Sequence, residues 1–238
     1  MNATINLEKE HFPVLLDELI SIISPLYGGT FIDCTFGQGG YSKKILENKY
    51  NNIIAIDRDI KSLEISKKFE KKYKNRFKFE NIKFSEINRI KTNKNILKGI
   101  IFDLGYSTAQ IKDPEKGLSF LSKGKLNMQM GLNEFSANEI VNDFDQSSLS
   151  KIFYSFGDEK KANNIARKII NFRKSKNIET QDLVKIIDSV YKKKFKKIHN
   201  STKVFQALRI FVNKEISELI DSLICSFKFL PKGGVIVV

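Results

Sequence analysis

The segment FIDCTFGQGG, residues 31–40, runs an apolar stretch into Asp33 and then sets Gly37, Gly39 and Gly40 within four residues. Glycines in a strand–turn–helix unit let the backbone turn sharply and come close to a ligand. A second apolar run, 52–56, leads into Asp57, 18 residues after Gly39. A carboxylate at that position can accept both hydroxyls of a ribose. A third run, GIIFDLGYS over 99–107, sets Asp103 at the same edge. Asp33 can engage a ligand ammonium, directly or through water. Asp103 can accept a hydrogen bond from an exocyclic amine and hold it in line with a methyl donor. Such help matters because that amine's lone pair is conjugated with its ring.

Two cofactor classes compete for this pattern. A dinucleotide fingerprint reads Gly-x-Gly-x-x-Gly/Ala, whereas residues 37–42 read GQGGYS, with Ser42 in the last place. The Asp33 carboxylate would also repel a diphosphate. A nucleoside with a cationic amino-acid end, S-adenosylmethionine, fits better. A nicotinamide or flavin dinucleotide, and with it an oxidoreductase, stays as the alternative. No Gly-Lys-Ser/Thr follows the glycines, which excludes a Walker-type phosphate loop.

Positioning these residues requires a parallel sheet. Residues 13–24 read as an amphipathic helix with proline near its start. Short apolar runs at 30–34, 52–57, 77–81 and 99–104 alternate with helical stretches near 40–49 and 60–73, which implies an α/β sheet covered on both faces. From about 111 the texture becomes loop-like and then helical. Ser136 and Glu139 form a capping box, Gly157 is placed to stop one helix and Thr180 to cap another. Helical periods recur over 160–174 and 181–191, and a long helix is expected over about 202–228, before the apolar strand that closes the chain. The expected organisation is an α/β core formed by 1–110 and 200–238, with a helical insertion, 111–199, for substrate recognition. A bare apolar strand at the end would leave a sheet edge open, so the chain is expected to continue beyond Val238.

The 41 basic and 27 acidic residues leave a formal charge of +14, with a pI near 9.6. That balance points to a polyanionic partner. Only six of the basic residues are arginine, and runs such as Lys67 to Lys74 also read as solvated helix surface. Lys160, Lys161, Arg167, Lys168 and Lys192 to Lys194 form a basic helical region able to grip a nucleic-acid backbone. A non-catalytic basic RNA-binding protein also stays open should the chain's end at Val238 leave the core incomplete. Two cysteines, Cys34 and Cys225, read as buried hydrophobes and give no basis for a disulfide framework or a metal site. No apolar run approaches the length of a membrane span, and the N-terminus lacks a signal peptide's apolar stretch, so a cytoplasmic protein is expected. His199 reads as a helix-start or packing residue, or else as a base beside the substrate. Arg209 can meet a phosphate or a carboxylate, while Phe205 and Leu208 read as core.

In order, the segments HFPVLLD (11–17), DCTFGQGGYS (33–42), IDRD (56–59), FDLGYS (102–107), QIKDPEKGLSF (110–120) and HNSTKVFQALRIFVN (199–213) resemble the RsmH (MraW) family across essentially the whole chain. Members are bacterial S-adenosylmethionine-dependent methyltransferases acting on N4 of the cytosine at position 1402 of 16S ribosomal RNA. The resemblance implies a Rossmann-like class I methyltransferase core with an inserted α-helical domain, and 16S rRNA or the small ribosomal subunit as partner. It assigns Gly39, Gly40, Tyr41, Asp57, Phe84, Asp103 and Gln110 to the cofactor pocket, with Phe84 lining the adenine, and places His199 near the substrate. The family usually has histidine where Tyr41 stands, Ser-Pro where this chain has Thr108-Ala109, and aspartate where it has Asn127. It also continues past the last strand.

Overall fold

A computed structural model describes residues 13–107, 110, 111, 113–191 and 198–238. These fall into two compact units, one within 1–105 and 218–238, the other within 106–217.

The first unit is built on five strands, β1 (Thr30–Asp33), β2 (Asn52–Ile56), β3 (Phe77–Glu80), β4 (Leu97–Ile101) and β5 (Val235–Val237). Their spatial order is β3-β2-β1-β4-β5 and every pairing is parallel. Parallel neighbours need crossovers, supplied in part by α2 (Gly40–Ile45) and α3 (Ser62–Tyr73); α1 (Leu16–Ile23) precedes β1. Chain order reverses between β1 and β4, and the loops leaving these two strands diverge there. Such a switch point is where an open α/β sheet leaves a crevice.

Alternation along each strand divides the apolar residues between two faces. Phe31, Ile53, Ala55, Phe77 and Ile101 pack with Leu19, Ile23, Ile45 and Phe69 of the three helices. Ile32, Ile54, Ile56, Ile100 and Ile236 pack instead with Ile87, Leu223, Cys225 and Phe229. The chain is therefore α/β, with a Rossmann-like sheet.

Some boundaries differ from those expected. Helix α2 stops at Ile45 rather than near 49, because Asn51 Nδ2 takes the Ile45 carbonyl (3.0 Å) and Arg76 Nη1 takes those of Leu46, Asn48 and Asn51 (3.1–3.2 Å). Strand β4 ends at Ile101, so Asp103 stands on the loop beyond the strand.

The second unit holds α4 (Ala137–Asp143), α5 (Gln146–Gly157), α6 (Ala162–Phe172), α7 (Thr180–Asp188) and α8 (Thr202–Asn213). Its core includes Leu149, Phe153, Ile165, Ile169, Leu183, Val204, Phe205 and Leu208. The Ser136–Glu139 capping box is present on α4. Thr180 is the first helical residue of α7, with Glu179 in the capping position, because the Thr180 hydroxyl donates to Gly124 O (2.8 Å). Gly157 is the last residue of α5, and the left-handed residue that ends the helix is Asp158, φ 47°. The single helix expected over 202–228 is two, broken at the left-handed Lys214 (φ 51°) into α8 and α9 (Glu215–Phe229). Helix α8 packs against α5 and so falls in the helical unit, whereas the sequence reading put it with the α/β frame.

Candidate active site

At the carboxyl edge of the sheet the ladder runs one rung past the strands. Cys34 N donates to Ile101 O (2.9 Å), Phe36 N to Ile56 O (3.0 Å) and Phe102 N to Val237 O (2.9 Å). Thr35 Oγ1 then accepts from Asp103 N at 2.8 Å, tying the β1 and β4 loops together across the switch point. Asp33, Asp57 and Asp103 thereby stand at the ends of three adjacent strands.

Asp33 is wholly buried. Its Oδ2 accepts from Ser42 Oγ at 2.7 Å and its Oδ1 from Thr35 N at 3.3 Å. The carboxylate is thus spent on holding the glycine turn, where the sequence suggested an ammonium contact. Burial pushes its pKa up to about 6, against the opposing pull of the Ser42 and Thr35 hydrogen bonds; the charges of Asp57 and Asp103 add to the rise. An unfolded chain releases this proton near 3.8. Between the two values the folded state binds more protons, so stability falls as pH rises from about 4 to about 6, by at most roughly 3 kcal/mol. Asp33→Asn is expected to flatten this part of the profile. Denaturant midpoints at pH 4.5 and 7 check it, and equal pH slopes in parent and variant would contradict it.

Asp57 is the hub of the edge. Its Oδ2 accepts from Gly37 N (2.7 Å) and Ser62 Oγ (2.8 Å), its Oδ1 from Asp59 N (2.8 Å), and its backbone carbonyl from Asn81 Nδ2 (2.7 Å). A carboxylate offers about four acceptor positions, so three are engaged. Burial raises its pKa above the ordinary carboxylate value, opposed by the Asp59, Gly37 and Ser62 hydrogen bonds. The Tyr41 hydroxyl donates to Val14 O, 27 residues away in sequence. Burial, followed by the charge and hydrogen bonding of Asp103, pushes the Tyr41 pKa upward, so this phenol keeps its proton.

The three glycines serve different ends. Gly37 (φ +51°) and Gly39 (φ +77°) are both left-handed, a conformation that side chains make costly. Beside Gly37 there is open space, its nearest neighbour being Thr35 O at 3.8 Å from where a Cβ would stand. A Cβ on Gly39 would stand 2.5 Å from the Phe69 ring, and one on Gly40 2.4 Å from Pro13 Cγ. Internal packing therefore requires Gly39 and Gly40, while Gly37 faces outward. Gly105, after β4, also has nothing within 4 Å of its missing side chain. Phe84, half-buried in the turn Phe84–Arg89, meets Phe102 edge to face at 5.8 Å.

Residues 8–238 match the MraW methylase family. The chain belongs to that family. The ribosomal RNA small subunit methyltransferase H of Orientia tsutsugamushi (strain Ikeda) is 41% identical over 235 residues, 96% of this chain and 75% of that protein. The proteins of the same name from Ehrlichia ruminantium (strain Welgevonden) and Rickettsia bellii (strain OSU 85-389) are 39% and 37% identical, over 96% and 98% of this chain and 78% and 76% of theirs. This MraW methylase is accordingly a methyltransferase.

The remaining expected site residues of the methylase lie in its helical unit. Gln110 Oε1 accepts from Ser107 N (2.9 Å), and Ser107 Oγ accepts from Gln110 N (3.2 Å), a reciprocal pair after β4. Thr108 and Ala109 lie outside the described residues. His199 stacks on Phe120 (4.4 Å between centroids, 11° between planes), and its Nδ1 accepts from Ser201 N at 3.2 Å ahead of α8. Arg209 meets a carboxylate: Nε and Nη2 contact the two oxygens of Glu215 at 2.7 and 3.0 Å, with its guanidinium over Tyr106. Asn127 Nδ2 donates to Glu115 O (3.4 Å), and its Oδ1 is buried without a partner. Lys161 and Lys168 donate to the carbonyls of Val190 and Ser189 after α7. Lys192 to Lys194 lie outside the described residues.

Sequence reasoning missed Ser42 and Ser62 as hydroxyl donors to the Asp33 and Asp57 carboxylates, and Thr35 as the acceptor for the Asp103 backbone amide. The signal for the two serines is a hydroxyl five to nine residues after an edge aspartate, in the helix that follows it.

Proposed function

We propose that this chain transfers the methyl group of S-adenosylmethionine to N4 of the cytosine at position 1402 of 16S rRNA, acting in the cytoplasm on the small ribosomal subunit or its RNA. The observation that carries this reading is the convergence of Asp57, the Gly37 turn and Asp103 at the switch-point edge, with open space beside Gly37 and Gly105. That edge suits a ribonucleoside: with three acceptor positions of Asp57 engaged, one is free for a ribose hydroxyl. Phe84 offers an apolar ring to an adenine. Bound there, S-adenosylmethionine supplies a methyl group on a positively charged sulfur.

This chain's own residues then have three tasks. Asp57 fixes the nucleoside through its sugar. Asp33, Thr35 and Ser42 hold the backbone of the turn rigid, so that placement is not lost to loop motion. Asp103 accepts a hydrogen bond from the cytosine amine and aims it, with its own loop anchored by Thr35. The resemblance gives Gln110 to the cofactor and His199 to the substrate, and it makes the helical unit the substrate-recognition part. Of the chain's charge of +14, residues 106–217 carry +9, from 21 basic and 12 acidic residues, which supports RNA as the partner. The target base must lie in exposed RNA or leave its stack to reach the donor.

Incubation with methyl-labelled S-adenosylmethionine and small-subunit RNA is expected to yield N4-methylcytidine on nuclease digestion. Label found only on adenine N6, on C5 of a pyrimidine or on protein would refute the assignment. RNA affinity unaffected by S-adenosylmethionine, with no turnover, would favour a non-catalytic RNA-binding protein.

A further inference from the structure

One cleft in the helical unit has no part in the site described above. It has a volume of about 520 Å³ and is lined by Gln146, Ser147, Ser150, Lys151 and Tyr154 of α5 and by Asn163 of α6. The α5 residues fall at i, i+1, i+4, i+5 and i+8, one face of the helix. Their apolar neighbours Leu149, Ile152 and Phe153 face the core, so the cleft's floor is fixed by packing. Gln146 Nε2 donates to Asn163 Oδ1 at 2.8 Å, bridging the two helices with a pair of carboxamides.

What this lining can bind follows from its chemistry. Tyr154 is 64% exposed, far more than an aromatic ring needs for packing, and it offers a face on which a planar base can stack. The Gln146 and Asn163 amides can donate to and accept from base edges. Ser147 and Ser150 can hydrogen-bond a ribose 2′-hydroxyl, and Lys151 supplies a cation for phosphate. Asp145, just before α5, keeps its carboxylate ionised because Ser148 donates to it from both hydroxyl and backbone (2.6 and 3.0 Å). That fixed negative charge repels phosphate from the Gln146 end and favours the Lys151 end. On α6, Arg167 lies one turn beyond Asn163.

We propose that this cleft is a single-stranded RNA subsite, taking one unpaired nucleotide with its base on Tyr154 and its phosphate on Lys151. The choice of RNA rests on the function proposed above. The amides favour no single base, so the cleft holds flanking RNA in place and does not read its sequence.

The test uses the full chain and a single-stranded oligonucleotide copied from small-subunit rRNA, with affinity measured across a salt series. Tyr154→Ala is expected to weaken binding about 5- to 150-fold, from the loss of one stacked base, and Tyr154→Phe to restore it. Lys151→Gln is expected to reduce the slope of log affinity against log salt by about 0.7, one phosphate contact. Both side chains are exposed, so the variants keep the fold, and S-adenosylmethionine binding by calorimetry is expected to match the parent. Parental RNA affinity and salt slope in both variants overturn the subsite, even where methyl transfer to RNA is intact. A parent that binds RNA through Tyr154 yet transfers no methyl group overturns the proposed reaction and leaves the subsite standing. A parent that binds no RNA overturns both.

Discussion

Asp57→Ala is expected to weaken S-adenosylmethionine binding by a hundredfold or more while leaving the sheet intact. Hydrogen bonds to a charged acceptor contribute about 1.5–3 kcal/mol each. Losing the ribose contact together with the Gly37 bond that orders the turn amounts to about 3–6 kcal/mol, or at least a hundredfold in affinity. The variant also frees the Gly37 amide, the Ser62 hydroxyl and the Asp59 amide from their acceptor. With φ +51° and open space around it, Gly37 then loses the bond that fixes its turn. Both effects lower affinity. Asp57→Asn keeps one acceptor oxygen and separates them: it retains part of the turn's order but loses the charge, and should fall between parent and alanine variant. Calorimetry with S-adenosylmethionine, beside circular dichroism to confirm the fold, makes the measurement. Affinity within threefold of the parent in Asp57→Ala would remove the residue from the cofactor site.

The α/β part was legible from sequence because its signals are local and redundant. Runs such as Ile53 to Ile56 are strand-length, bounded by turn residues, and followed by an acid at a fixed distance. Alternation along them decided both faces at once. What sequence could not supply was how the carboxylates would be used. Asp33 and Asp57 look alike as strand-end acids, yet one is sealed beneath Ser42 and the other keeps an acceptor position open. That difference depends on hydroxyls arriving from later helices. The same holds for Gly39 and Gly40, which read as ligand-facing but are required by Phe69 and Pro13.

Helix boundaries failed for a related reason. Residues 202–228 read as one helix because no glycine or proline interrupts them, and the break is a lysine in a left-handed conformation. Asn213 explains that break in part. Its side chain accepts from Met130 N (2.9 Å) and donates to Met128 O (2.8 Å), both more than 80 residues away. Helix α9 also defeats a simple amphipathic reading. It buries Glu218, Ser222 and Ser226 and leaves Ile220, Ile224 and Phe227 at least half exposed. Periodicity finds such a helix but does not say which side faces in.

Gly157 is where close approach, invisible in sequence, should have the largest effect on stability. On helix propensity alone, Gly157→Ala would stabilise α5 by about 1 kcal/mol. The structure reverses that sign. A Cβ at this position would stand 2.4 Å from the carbonyl oxygen of Lys203 and 3.1 Å from Ala207 Cβ. The oxygen belongs to the first turn of α8, so it cannot rotate aside as a side chain would. Moving it means shifting α8, whose Val204, Phe205 and Leu208 are packed in the core. Such overpacking costs about 1–3 kcal/mol and occasionally more, and here it also disturbs the Lys203 Nζ bond to Asp158 O (2.7 Å). The expected net loss is about 2 kcal/mol, a fall of roughly 4–8 °C in thermal midpoint for a chain of this size. Ser155→Ala, at an exposed position on the same helix, should change the midpoint little. A Gly157→Ala protein melting at or above the parent would refute the backbone contact. Adding Ala207→Gly should recover little, because it relieves the 3.1 Å contact and leaves the Lys203 carbonyl where it was.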